Sequence, residues 1–131
     1  MKISPLLSAV VTTLVFSVPA LAASVAFVEP VNGATVPTTF RVRFSVDGME
    51  VKPAGEISDT SGHHHLIING TGIPAGAAVP FDETHIHFGK GQTEATVTVR
   101  PGTYTLTLQF ANGAHLSYGE PLSKTITVNV K

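Results

Sequence analysis

Hydrophobic and polar residues alternate with period two along most of the chain, which is the pattern of strands with one buried face. Thr39 to Val46 sets Phe40, Val42, Phe44 and Val46 against Thr39, Arg41, Arg43 and Ser45. Ala95 to Arg100 repeats the pattern with Ala95, Val97 and Val99 inward, and Thr103 to Phe110 does so with Tyr104, Leu106, Leu108 and Phe110. Lys124 to Val130 closes with Ile126, Val128 and Val130. Ser24 to Val28 and His63 to Ile68 read as two further strands, and no segment has a helical period. Pro30 to Pro37, Asp47-Gly48, Pro53-Ala54-Gly55, Asn69 to Pro80, Gly89 to Gly91 and Pro101-Gly102 carry turn residues between them. Six or seven short strands with tight turns predict an all-β fold: a single-domain antiparallel β-sandwich of the immunoglobulin-like kind. Pro101-Gly102 is expected to join its flanking strands as a hairpin. The longest irregular stretch is Asn69 to Gln92, and long loops in compact domains are where binding residues concentrate.

The first 23 residues break this pattern. Lys2 precedes an apolar run from Leu6 to Val18, then Pro19 and Ala20-Leu21-Ala22, the layout of a cleavable secretory signal peptide. The run is shorter than the roughly 20 residues that span a bilayer, and small residues rather than charges follow it. Cleavage after Ala22 or Ala23 is expected to leave a periplasmic or secreted domain over residues 24–131, with no membrane anchor. The chain has no Cys, so it lacks both the lipid-attachment residue of a lipoprotein and disulfides, and the exported domain must stand on core packing. A composition 43% hydrophobic and 13% charged supplies that core and excludes a disordered chain. A net charge of −1 argues against nucleic acid as a partner, because neutralising phosphates needs a basic surplus.

Histidine is the unusual residue. All six lie after the leader, as His63-His64-His65, His85-Ile86-His87 and His115. Residues i and i+2 of a strand share a face, so His63 with His65 and His85 with His87 each form a two-toothed chelate, while His64 turns the other way. Two such pairs brought together predict a transition-metal site from His63, His65, His85 and His87, with His115 a further candidate. Imidazole suits copper and zinc, and the lack of thiolate excludes a blue-copper centre. Magnesium and calcium prefer oxygen ligands. Four His ligands would close a tetrahedral zinc site, and three would leave a position open to water. No nucleophile elbow or catalytic spacing is present, so binding is favoured over catalysis. The alternative is an envelope module that contacts a protein or glycan partner, with the histidines anchoring loops. A third reading is a metal-assisted hydrolase with Glu94 or Asp82 as base. Glu94 could instead orient a ligating imidazole, although Gln92 and Glu94 holding the long loop in place is the favoured role. Met49, a possible soft ligand, reads better as a plug at the end of the sandwich.

Gly48 to Gly55, Gly62 to Asn69 (GHHHLIIN), His85 to Glu94 (HIHFGKGQTE), Pro101 to Phe110 (PGTYTLTLQF) and the stretch from His115 to Val130 resemble the bacterial domain-of-unknown-function family 4399. The resemblance implies a small exported protein with a β-sandwich domain and no established activity. Carried over residue by residue, it marks the positions of His63, His65, His85, His87 and His115. Two departures stand out: Asn69 where the family commonly has Asp, and Tyr104 where it often has His.

Overall fold

The computed structural model describes residues 2–15 and 22–131. Residues 2–15 carry no regular secondary structure, and the apolar Leu6, Leu7, Val11 and Leu14 among them are exposed. The rest of the expected leader core, with Pro19, Ala20 and Leu21, lies outside the described residues.

Nine strands follow among the described residues: β1 (Ser24–Glu29), β2 (Thr35–Val36), β3 (Thr39–Asp47), β4 (Glu50–Val51), β5 (Ser61–Ile68), β6 (His85–His87), β7 (Glu94–Thr98), β8 (Gly102–Ala111) and β9 (Ser123–Val130). They form two sheets. One has the order β1-β3-β7; the other runs β2-β9-β8-β5-β4, with β6 added along β5. The long pairings are all antiparallel, whereas the two-residue strands β2 and β4 pair parallel to β9 and β5. The chain is an all-β, single-domain sandwich, and this division of strands between sheets is that of the immunoglobulin-like arrangement.

The core sits where the alternation places it. Val25, Phe40, Val42, Phe44 and Val97 from the first sheet meet Leu66, Leu106, Leu108, Phe110, Ile126, Val128 and Val130 from the second, all buried. Each such side chain contributes about 1.5–3 kcal/mol on leaving water. Met49 packs against this cluster, as a plug would.

The expected hairpin across Pro101-Gly102 does not form. β7 pairs with β3, and β8 pairs with β5 and β9, so the chain crosses between sheets at this point. Tyr104 shows why: its hydroxyl donates to the Arg100 carbonyl at 2.8 Å, the tyrosine corner that ties the crossover of such sandwiches. The Tyr104 ring therefore has a structural role here. Asn69 does too. It adopts φ 55°, donates its N–H to Thr105 O at 2.9 Å and accepts Thr105 N–H on Oδ1 at 3.1 Å, pinning the start of the long loop to β8.

Strand β5 is buried on both faces. Alternation turns His64 and Leu66 toward the sandwich core and Ser61, His63, His65 and Ile67 to the outer face of the sheet. That outer face, continued on β8 by Thr107, Gln109 and Ala111, is covered by two loops, residues 69–84 and 112–119. The loops pair with each other through Gly76 N–H to Ser117 O (2.8 Å), Ser117 N–H to Ala77 O (2.9 Å) and Val79 N–H to His115 O (2.9 Å). The space between loops and sheet is where the histidines meet.

Candidate metal centre

His63 and His65 form the floor of the site. Both are fully buried on β5, and their outward direction follows from the two-residue period. Gly62 lets β8 approach this strand, since a Cβ there would fall 2.1 Å from the Ala111 carbonyl oxygen. His87 enters from β6, directly opposite His65 in the antiparallel register. His115 closes the site from the 112–119 loop. Its backbone is left-handed at φ 62°, a conformation held by Asn112, whose Oδ1 accepts Ala114 N–H at 2.9 Å and Leu116 N–H at 3.1 Å while its carbonyl accepts His115 N–H at 2.9 Å. Gly113 next to it is required by space: a Cβ would lie 2.1 Å from Glu56 O.

His115 Nδ1 is the meeting point. His63 Nε2 lies 2.9 Å from it, His87 Nδ1 3.2 Å and His65 Nε2 3.3 Å. His63, His65 and His115 each offer a ring nitrogen within 4.8 Å of the others and could hold a metal ion. A tetrahedral zinc with nitrogens at about 2.0 Å has ligand edges of roughly 3.3 Å, so these spacings are of coordination size.

The outward nitrogens fix the protons. His65 Nδ1–H donates to the Gln109 carbonyl at 3.2 Å, and His87 Nε2–H donates to the Pro80 carbonyl at 2.7 Å. A neutral imidazole carries one proton, so both rings turn lone pairs inward. His115 Nδ1 can donate to one neighbour at most, which leaves an excess of lone pairs at the centre. Protonation does not relieve it at neutral pH. Burial holds His63 down to about 4 and His65 to about 2, with the adjoining histidines adding repulsion, and burial followed by the neighbouring His87 lowers His115 as well.

Phe81 stacks flat on the His87 ring at 3.8 Å between centroids and 11° between planes, although it is 74% exposed. Gln109 joins the site to its roof. Fully buried, it accepts Ile73 N–H on Oε1 at 2.9 Å and donates from Nε2 to Gly119 O at 3.1 Å and Leu122 O at 3.3 Å, so one side chain holds both loops down.

Four of the five expected ligands thus come together: His63, His65, His87 and His115. His85 does not reach the group through its Nδ1, which donates to Asp82 Oδ1 at 2.7 Å; Thr84 N–H and its hydroxyl donate to the same oxygen. The hydrogen bond from His85 is the main reason the Asp82 carboxyl sits below its ordinary range. Glu94 lies on β7 of the other sheet, in an exposed pair with Arg43 at 3.7 Å, and neither orients an imidazole nor anchors the loop. Gln92 bonds only locally, accepting Lys90 N–H at 2.8 Å. The anchoring role expected of these residues belongs to Gln109. Nothing in the alternation marks it, because an outward polar residue on a strand is the ordinary case. Phe81 gave equally little signal.

Residues 42–131 match the family described as a domain of unknown function (DUF4399). The chain belongs to this family. No curated protein and no solved structure matches the chain. Asn69 and Tyr104 both serve backbone contacts and take no part in the histidine cluster.

Proposed function

We propose that this DUF4399 protein binds one transition-metal ion, copper or zinc, through His63, His65 and His115, with His87 as a fourth ligand. The observation that carries this reading is the convergence of imidazole nitrogens on His115 Nδ1 at 2.9–3.3 Å, two of them with their protons committed to backbone carbonyls on the far side. A cation at the centre satisfies every inward lone pair. The carbonyls of Gln109 and Pro80 then orient the rings, as outer partners of metal-bound histidine do. His85, tied to Asp82, is not part of the set. Nitrogen-only donors suit copper and zinc and disfavour magnesium and calcium.

We further propose that residues 1–23 are an export signal and that the site works in the periplasm or outside the cell. The basic Lys2, the apolar run and the small residues at 20 and 22 support it. Trafficking, buffering or sequestration of the metal fits a buried site with no nucleophile or charged base among its contacts.

The test uses the mature chain without a polyhistidine tag, stripped with chelator and titrated with Zn(II) and Cu(II) by calorimetry. One ion per chain with a Kd below about 1 μM, roughly −8 kcal/mol, is expected for at least one metal. His63→Ala/His115→Ala should lose it, whereas His85→Ala should keep it. Binding that the double variant retains would discard the site.

A further inference from the structure

Three rings of the cluster have a visible partner for the nitrogen that does not face the centre, or a solvent-facing edge that can supply one: His65 on Gln109 O, His87 on Pro80 O and the half-buried His115. His63 is the exception. Its Nε2 points at His115, and its Nδ1 is sealed from water with no partner. Such an orphaned nitrogen is destabilising and leaves the ring free to carry its proton on the wrong side.

Among the described residues, the buried side-chain atoms without partners are Ser61 Oγ, His63 Nδ1 and both ring nitrogens of His64. His64 faces the sandwich core, between Phe44 and Phe110, and is on the opposite side of the strand. Ser61 and His63 are neighbours at i and i+2 on the same face of β5, 2% and 0% exposed. The Ser61 carbonyl is already engaged, accepting the Tyr118 hydroxyl at 2.6 Å, so the backbone holds the residue while its side-chain hydroxyl is left to turn. The two orphans lie on one strand face, and a hydroxyl able to donate or accept can reach the ring nitrogen by a side-chain rotation or through one water.

We infer that Ser61 is a positioning residue: its Oγ partners His63 Nδ1, directly or through one enclosed water, and holds the Nε2 lone pair of His63 toward the metal. The inference rests on the metal-binding reading and adds to it the one outer contact that the ligand set lacks. Ser61 accepts from Nδ1–H when the ring ligates through Nε2. A hydroxyl fills this place better than a carboxylate would, because it neutralises no charge and fits beside the strand without an ion in a buried position.

The test compares the mature chain with its Ser61→Ala variant. Zinc affinity is expected to fall about 10- to 100-fold, the usual effect of removing an outer partner of a ligating histidine. The metal-free variant should melt at or slightly below the parent, since His63 Nδ1 then loses its hydroxyl partner. A purely structural serine would not alter the tautomer of His63, so its ring 15N shifts are read in both proteins by long-range proton–nitrogen NMR. A moved Nδ1 resonance with weakened zinc binding supports the inference; unchanged shifts and unchanged affinity overturn it. Should the parent take up no zinc or copper, the metal reading fails by itself. The Ser61 contact is then decided on the metal-free shifts alone, where a change upon Ser61→Ala supports it and no change overturns it.

Discussion

His64 sits at the junction of site and core. It is fully buried between Phe44, at 4.7 Å between ring centroids, and Phe110, at 5.0 Å, and neither ring nitrogen has a hydrogen-bond partner. The strand period forces this placement: once His63 and His65 face outward, their intervening neighbour must face the core. A His64→Leu substitution of similar size removes the unpartnered groups and is expected to stabilise the metal-free fold by about 1–3 kcal/mol, with metal affinity kept. Denaturant unfolding checks this, and a variant less stable than the parent would show that the ring gains more from its aromatic neighbours than it loses. At His115 the expected effects separate differently. Its left-handed backbone costs roughly 1–3 kcal/mol for a residue with a Cβ, a strain found where structure serves a site. His115→Gly is therefore expected to leave the metal-free melting temperature unchanged or higher while metal binding weakens at least tenfold. Equal loss of both would mean that the ring chiefly packs the loop.

At the scale of elements, the outer sheet face and its two loops stand or fall on Gln109. Replacing it with Leu leaves Ile73 N–H and Leu122 O without their partner and Gly119 O with the Leu122 N–H alone, at about 1–3 kcal/mol for each buried group left unpaired. Faster amide exchange is expected in residues 70–80 and 115–119, with β3 and β9 unaffected, and weaker metal binding should accompany it. Uniform loss of protection would place Gln109 in the global core instead. The strands themselves were legible, because Phe40 to Val46, Leu106 to Phe110 and Ile126 to Val130 repeat faithfully at period two, and each of these alternations faces the core. Their partners were not. Pro101-Gly102 suits a hairpin and an inter-sheet crossover equally, and what decides between them is the Tyr104 hydroxyl finding Arg100 O, a contact between side chain and backbone that no periodicity encodes. His63 and His65 could be paired from their spacing, as could His85 and His87, but spacing could not show that His87 lies opposite His65 while His85 lies opposite Ile67 and turns to Asp82. The position of His115 depends on an Asn112-capped loop and a left-handed residue, which local sequence only hints at through Asn112-Gly113.

The whole molecule couples its stability to protons and to metal through the same buried rings. Burial lowers His63 and His64 to about 4 from an ordinary 6.5, so between those values the unfolded chain holds more protons than the folded one. Stability consequently rises with pH over that window. The contribution of these neutral rings is complete above about 6.5 and is lost as pH falls through about 4. The melting temperature of the metal-free protein, followed from pH 7.5 to 4.5, should decline, and a flat profile would mean that the rings are not buried in solution. Metal acts in the opposite direction. Free ion at a hundredfold excess over Kd stabilises the fold by about 2.7 kcal/mol, which for a domain of this size raises the melting temperature by roughly 10 °C or more.

The measurement closest to the central claim is zinc-edge X-ray absorption on the mature protein loaded with one equivalent of zinc. The account predicts a first shell with at least three imidazole nitrogens at about 2.0–2.1 Å and the outer-ring scattering of histidine, reduced by at least one imidazole in His115→Gly. A shell made mostly of water or carboxylate oxygen, or one unchanged by that substitution, would contradict it.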